Sequence, residues 1–264
     1  MRVATRIVGR ALGTAIVMAA LSGTATAAPL VFAGLDNTNL SGGGAHPITD
    51  VAQAAFAAAA AAEGGLAVQN FDALVLGPAP GSFVIGSIGA TLTSTATDHS
   101  TIAGATTLVD TFAVSGTRFL DSLTDQNTTY FSIAFSAAVS GFGFHITDAS
   151  DWNGNRNPSN NLVVTLKYAG GNVTRKVFDG TAASTMVSGN LGFWGVVDSV
   201  DPVLGFSISN PAINPGRDGI GIDNLSVALI KPTTSVPVPT SIALLLSALA
   251  GAASLGRRRT TPAA

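Results

Sequence analysis

Three histidines, fifteen carboxylates and no cysteine are the groups with which this 264-residue chain can do chemistry. His46, His99 and His145 fall in three unlike segments: a Gly-rich leader, a polar loop and an alternating strand. None belongs to an H-E-x-x-H pair, and the sequence holds neither a G-x-S-x-G elbow nor a G-x-x-x-x-G-K-S/T phosphate loop. The absence of Cys excludes thiolate catalysis, thiolate metal ligation and a disulfide framework. Carboxylates do pair in sequence, Asp148 with Asp151 and Asp198 with Asp201, and two carboxyls at suitable separation suffice for glycoside hydrolysis. Such short spacings more often serve turns. The pattern reads as that of a non-enzyme.

The richest polar stretch is Asp148 to Asn161. Asp151, Asn153 and Asn155 match the first three ligand positions of an EF-hand loop, but Arg156 stands where Gly is needed and Leu162 where a bidentate Glu belongs. The EF-hand reading fails. Trp152 beside Asp148, Asp151 and Asn153 instead offers a surface on which a sugar ring can stack while its hydroxyls are paired. A solvated turn is the plainer alternative.

These residues need a scaffold, and the pattern supplies one. Asp50 to Glu63 predicts a helix capped by Thr49 or Asp50 and ended by Gly64 and Gly65. Its alanines give propensity but little to bury, so Val51 and Phe56 should lean it on a sheet. From Leu66 the period becomes two: Phe131, Ile133 and Phe135, then Phe142, Phe144 and Ile146, then Leu162 to Tyr168 alternate with small or polar residues as half-buried strands. Further strands are expected at Ser82 to Ile88, Thr107 to Val114, Asn172 to Phe178, Gly192 to Val197, Val203 to Ser209 and Gly219 to Leu229. Ten or so short strands without helical crossovers predict an all-β, antiparallel two-sheet sandwich with one N-terminal Ala-rich helix. In the last strand the apolar phase slips by one residue after Ile222, which predicts a β-bulge at Asp223-Asn224.

Both ends read as addresses. Arg2, Arg6 and Arg10 precede the apolar run Ala11 to Leu21, and Ala25-Thr26-Ala27 supplies the small-residue pattern for cleavage after Ala27 by signal peptidase. A retained N-terminal anchor is the alternative. At the other end Val236-Pro237-Val238-Pro239 leads into the uncharged run Ile242 to Gly256, closed by Arg257, Arg258 and Arg259. Arginines beside an apolar helix stay in the cytoplasm, so the rest of the chain faces out. The expected division is a signal peptide at 1–27, a flexible leader at 28–48, an ectodomain at 49–230, and a linker with a C-terminal transmembrane helix at 231–264. Between the two ends, residues 28–235 hold seven basic against fifteen acidic residues, a net charge of −8. Such a domain repels phosphate backbones, so nucleic acid is not an expected partner.

The order Pro-x-Pro, apolar helix and Arg cluster resembles the PEP-CTERM sorting signal, the tail read by exosortase-type membrane proteases in bacteria that make extracellular polysaccharide. The usual Glu between the prolines is Val238 here, as in the VPxP-type variant. Asp218-Gly-Ile-Gly-Ile-Asp-Asn-Leu-Ser-Val and Asn70-Phe71-Asp72 are similar to the closing and opening strands of jelly-roll ectodomains found with this tail, and Gly141 to Asp148 and Gly192 to Asp198 resemble their internal strands. The resemblance implies a cell-surface or matrix protein, sorted by an exosortase-type protease and in contact with extracellular polysaccharide; a plain single-pass C-terminal anchor without processing is the alternative. Many such jelly rolls bind carbohydrate or carry a structural Ca²⁺ near the terminal strands. Hard cations take several oxygen ligands, and Asp72, Asp218 and Asp223 are the candidates; hydrogen bonds to turns and to the bulge are the alternative for Asp72 and Asp223. Structural protein, carbohydrate-binding module and exported hydrolase follow in that order of expectation.

Overall fold

The structure is a computed structural model and describes residues 28–41, 43–94, 100–104, 110–124, 129–149, 162–178, 186–211 and 218–231. In chain order the elements are β1 (Leu30–Asp36), α1 (Pro47–Glu63), β2 (Leu66–Gln69), β3 (Gly77–Pro78), β4 (Ser82–Ile85), β5 (Ile88–Thr93), β6 (Thr101–Ala103) and β7 (Phe119–Thr124). They continue with β8 (Thr129–Val139), β9 (Gly141–Thr147), β10 (Val163–Tyr168), β11 (Gly171–Lys176), β12 (Leu191–Val197), β13 (Val203–Ser209) and β14 (Asp218–Ala228). Sheet A runs β1-β12-β9-β14-β7-β6-β3, with β2 also on β14; sheet B runs β11-β10-β13-β8-β5-β4. The pairings are antiparallel, so the expected two-sheet sandwich with one helix is the observed architecture.

From β7 onward the chain swings between layers: β7, β9, β12 and β14 lie in sheet A, whereas β8, β10, β11 and β13 lie in sheet B. The two inner faces close over one apolar core. Phe142 of β9 stacks on Phe206 of β13 at 4.2 Å, with Phe144 and Trp194 against the same cluster. Full burial of each such side chain is worth about 1.5–3 kcal/mol. Period two is cleanest in sheet B, where β10 alternates half-buried with buried positions and β11 is exposed throughout.

Sheet A is different because something covers its outer face too. Every residue of β9 and β12 is buried. The helix lies on that face, with Phe56 between Phe32 at 5.9 Å and Phe193 at 5.5 Å. Glycine makes the approach possible: a Cβ on Gly195 would stand 2.9 Å from the Phe56 ring, and one on Gly143 would stand 3.2 Å from it. Half-burial, expected for the Phe142 to Ile146 strand, is therefore corrected to burial on both faces.

Other expectations are corrected by long-range contacts. The flexible leader at 28–48 contains β1, which pairs residue for residue with β12 from Leu30↔Val197 to Asp36↔Leu191. The helix starts at Pro47, and its N-cap residue His46 makes no side-chain cap bond. Asp36 supplies that function from another strand, accepting from Ile48 N at 3.3 Å and Thr49 N at 2.8 Å. Val51 is 71% exposed, so Phe56 with Ala52 and Ala60 buries the helix. Ser82 to Ile88 is not one strand: Gly86, at φ 61°, turns it between β4 and β5. The expected bulge is present, for Asp223 faces His145 while Ser226 faces Gly143, and Asn224 takes a left-handed φ of 49°. The signal peptide at 1–27 and the tail helix lie outside the described residues. Among the described residues no helix is long and apolar enough to cross a membrane.

Candidate functional site

The outer face of sheet A gathers most of the buried polar groups. Beside α1 it is crossed by a strap, residues 110–118, which lies where a strand over Thr107 to Val114 was expected; 105–109 are outside the described residues. Gly221 provides the floor, since a Cβ there would meet Thr147 Oγ1 at 2.3 Å and Thr111 Cβ at 3.2 Å. The strap has no strand partner, so its backbone donors must be met by side chains. Thr111 Oγ1 donates to Asp121 Oδ1 at 2.8 Å, and Phe112 N donates to Thr147 Oγ1 at 3.3 Å.

Two aspartates complete the strap's bonds. Asp223 Oδ2 accepts from Val114 N and Ser115 N, each at 2.8 Å, and Oδ1 accepts from Asn224 N at 2.6 Å. Asp72 Oδ1 accepts from Thr117 N at 2.7 Å and Arg118 N at 2.9 Å, while Arg118 Nη1 donates to Leu74 O. Phe71, at φ 63°, turns the chain so that its own ring enters the core beside Phe83 and Asp72 faces the strap. A bulky residue in that region is strained by about 1–3 kcal/mol.

Burial sets the protonation chemistry of this face. Asp223 is fully buried and its carboxyl is pushed up to about 6 by desolvation, against the pull of three backbone donors and with added repulsion from Asp72. Asp121 is raised by burial and partly restored by the Thr111 hydroxyl. His145 is held down at about 4 by burial and the neighbouring His46 charge, which Asp50 opposes. Its Nδ1 lies 3.4 Å from Asn224 Nδ2, and Asn224 Oδ1 accepts from Ser115 Oγ at 2.6 Å. The network joins the bulge, the strap and the helix entrance. It aligns donors on acceptors.

Between strap and helix entrance opens a cleft of about 470 Å³ lined by Leu40, Ser41, His46, Phe112, Val114 and Thr117 among others. His46 Nδ1 stands 2.8 Å from Asp50 Oδ1 at its edge. A second polar knot closes the same side of the sheet. Asp148, with a left-handed φ of 59°, accepts from Gly189 N at 2.7 Å; Ser188 Oγ donates to Asp110 Oδ2 at 2.7 Å; and Asn190 bonds Ala149 through both its side-chain atoms.

The residues singled out in the sequence are thus only partly assembled. Asp72 and Asp223 meet at one strap, while Asp218 lies five residues down β14 from Asp223, about 17 Å away at about 3.4 Å per residue. Among the described residues no group of three His, Cys, Asp or Glu side chains is arranged to hold a metal ion. Asp148 sits in the knot, whereas Asp151, Trp152 and Asn153 fall outside the described residues, as do Ala25, Ala27, Val236, Pro237, Val238, Pro239, Arg257, Arg258 and Arg259. Asp198 and Asp201 form a turn in which Asp198 Oδ1 accepts from Asp201 N at 2.9 Å. Asp36, Asp121 and Asn190 were not singled out. The signal for them was glycine at the alternate positions Gly143, Gly195 and Gly221, where a solvated face calls for polar side chains.

No family model matches the chain, and no curated protein matches it.

Proposed function

We propose that this is an exported, non-catalytic cell-surface or extracellular-matrix protein, delivered by an N-terminal signal peptide and a C-terminal PEP-CTERM-like tail that an exosortase-type protease removes. The observation that carries the reading is the fit of the fold between its two addresses. The first strand begins at Leu30, three residues after Ala27, and the last ends at Ala228, eight residues before Val236. The swing of successive strands between two sheets supports a jelly-roll-like sandwich, the ectodomain class that this tail accompanies. Buried carboxylates spent on strap and helix donors support a structural role for the acidic face.

Fractionation of cells with and without the sorting protease, followed by mass spectrometry of both chain ends, tests it. The expected mature chain starts at Ala28 and has lost Arg257, Arg258 and Arg259 only when the protease is present. An intact tail in both strains overturns the sorting reading.

The cleft favours a second reading, a carbohydrate-binding ectodomain in contact with extracellular polysaccharide. Trp152 and the Asp/Asn loop are the expected sugar platform; Trp194, the other tryptophan, is wholly buried in the core. Glycan-array binding that is lost in Trp152→Ala supports this reading, and no binding by the unaltered protein removes it.

A further inference from the structure

Helix α1 begins at a residue that does not cap it. An N-cap side chain ordinarily accepts from the first-turn N–H groups, yet His46 makes no such bond, because Asp36 of β1 already accepts from Ile48 N and Thr49 N. The imidazole is left for other work. It stands on the wall of the cleft of about 470 Å³ between the strap and the helix entrance, a volume within the range of sites that enclose a small molecule.

The side chains around this cleft direct their protons into the protein. His46 Nδ1 lies 2.8 Å from Asp50 Oδ1, off the line along which a ring N–H points, but two acceptors do not stand that close, so Nδ1 carries the ring proton. In the neutral ring Nε2 is then an acceptor. Ser41 Oγ donates to Asn39 Oδ1 at 2.7 Å, which leaves its lone pairs. Thr117 Oγ1 has Asp72 Oδ1 at 3.5 Å as the acceptor for its proton. Three side chains on one cleft therefore offer lone pairs to whatever enters it.

The remaining walls narrow the ligand further. Leu40, Phe112 and Leu191 form an apolar cluster of their own along the cleft, and no carboxylate, Lys or Arg side chain lines it among the described residues. An anion would meet lone pairs, and the helix N-terminus gives it no relief, since Asp36 holds the Ile48 and Thr49 donors. An ammonium group would be left without a counter-charge on these walls. A neutral polyol suits both parts: its hydroxyls donate to the lone pairs, and its C–H face covers the apolar cluster.

We propose that the cleft between the strap and the entrance of α1 is the seat of one neutral hexopyranose unit, with its ring face on Leu40 and Phe112 and its hydroxyls donating to Ser41 Oγ, His46 Nε2 and Thr117 Oγ1. The seat rests on the carbohydrate-binding reading above and restricts it to uncharged sugars.

Ligand-observed NMR titration of the full-length chain, purified in a sugar-free detergent, tests the seat with the methyl glycosides of glucose, mannose and galactose and with glucuronate. At least one neutral glycoside is expected to bind, and glucuronate to bind at least about tenfold more weakly. His46→Ala and Thr117→Val should each weaken the glycoside about fivefold or more, with the far-ultraviolet dichroism unchanged. His46→Gln, whose amide oxygen still accepts, should recover part of the loss, which a merely structural role for the ring does not predict. Glucuronate bound as tightly as the glycosides overturns the proposal, and so do His46→Ala and Thr117→Val proteins that bind like the unaltered chain. If Trp152→Ala abolishes binding while those two variants keep it, the sugar sits on the Asp/Asn loop: the cleft loses its ligand and the carbohydrate reading stands. No binding of any probe removes both.

Discussion

Sheet A and sheet B are built from the same kinds of strand and differ in what lies on their outer faces. On sheet B the face away from the core meets water: Thr165 and Thr174 pair their hydroxyls at 3.0 Å in an exposed position, and β11 is exposed along its whole length. On sheet A the equivalent face is a second interior, roofed by α1 over Gly143 and Gly195 and by the strap over Gly221. The difference teaches that a glycine where a strand expects a polar residue marks contact with another element. Polar side chains alternate where water is the neighbour; glycine alternates where backbone or an aromatic ring is.

Four measurements press on this contrast. Phe56→Ala removes the side chain that seals the second interior, and should cost about 3–5 kcal/mol by denaturant unfolding. A cost near zero would mean that the helix is an ornament on sheet A rather than its roof. The titrating groups come next, because the outer face of sheet A buries Asp223 and His145. Asp223, raised from 3.8 to about 6, contributes stability that is fully present below 3.8 and lost as pH rises through about 6. His145, lowered from 6.5 to about 4, contributes stability present above 6.5 and lost as pH falls through about 4. Each term amounts to ~3 kcal/mol, and they oppose one another across the same window. The unaltered protein should therefore show a nearly flat stability between pH 4 and 6.5. His145→Gln should gain stability on acidification and Asp223→Asn should lose it; parallel profiles for all three proteins would contradict the burial argument.

Gly195→Ala is a smaller intrusion of the same kind, placing a methyl 2.9 Å from the Phe56 ring, and should destabilise by about 1–3 kcal/mol. Thr165→Val, on the solvated face of sheet B, should stay within about 0.5 kcal/mol. If the last two changes cost the same, the two outer faces are alike and the contrast fails.

Legibility followed the same division. The strands at Phe131, Val203 and Leu162 were readable because one face is dry and the other wet, which is what period two records. The bulge at Asp223-Asn224 was readable for a related reason, since a slip of apolar phase in one strand has no other remedy. The helix was readable from its alanines but began three residues early, because its cap is Asp36, a strand away in space and outside any local window. The strap falls on the strand expected over Thr107 to Val114. What decides otherwise is that its donors meet Asp72 and Asp223, which lie far off in sequence on either side. Of the two roles open to those aspartates in the sequence, cation ligand and hydrogen-bond acceptor, the fold uses the second, on backbone N–H groups.

The pairing of β1 has a consequence in time. Synthesis delivers Leu30 long before Val197, so the first strand made waits for one of the last. Through most of the chain's emergence an uncharged, sticky strand stands without its neighbour, and contacts this distant in sequence form slowly. A newborn chain of this design depends on something to shield its N-terminal strand until the sandwich closes, and crowding during its production should show first as aggregates that begin at β1.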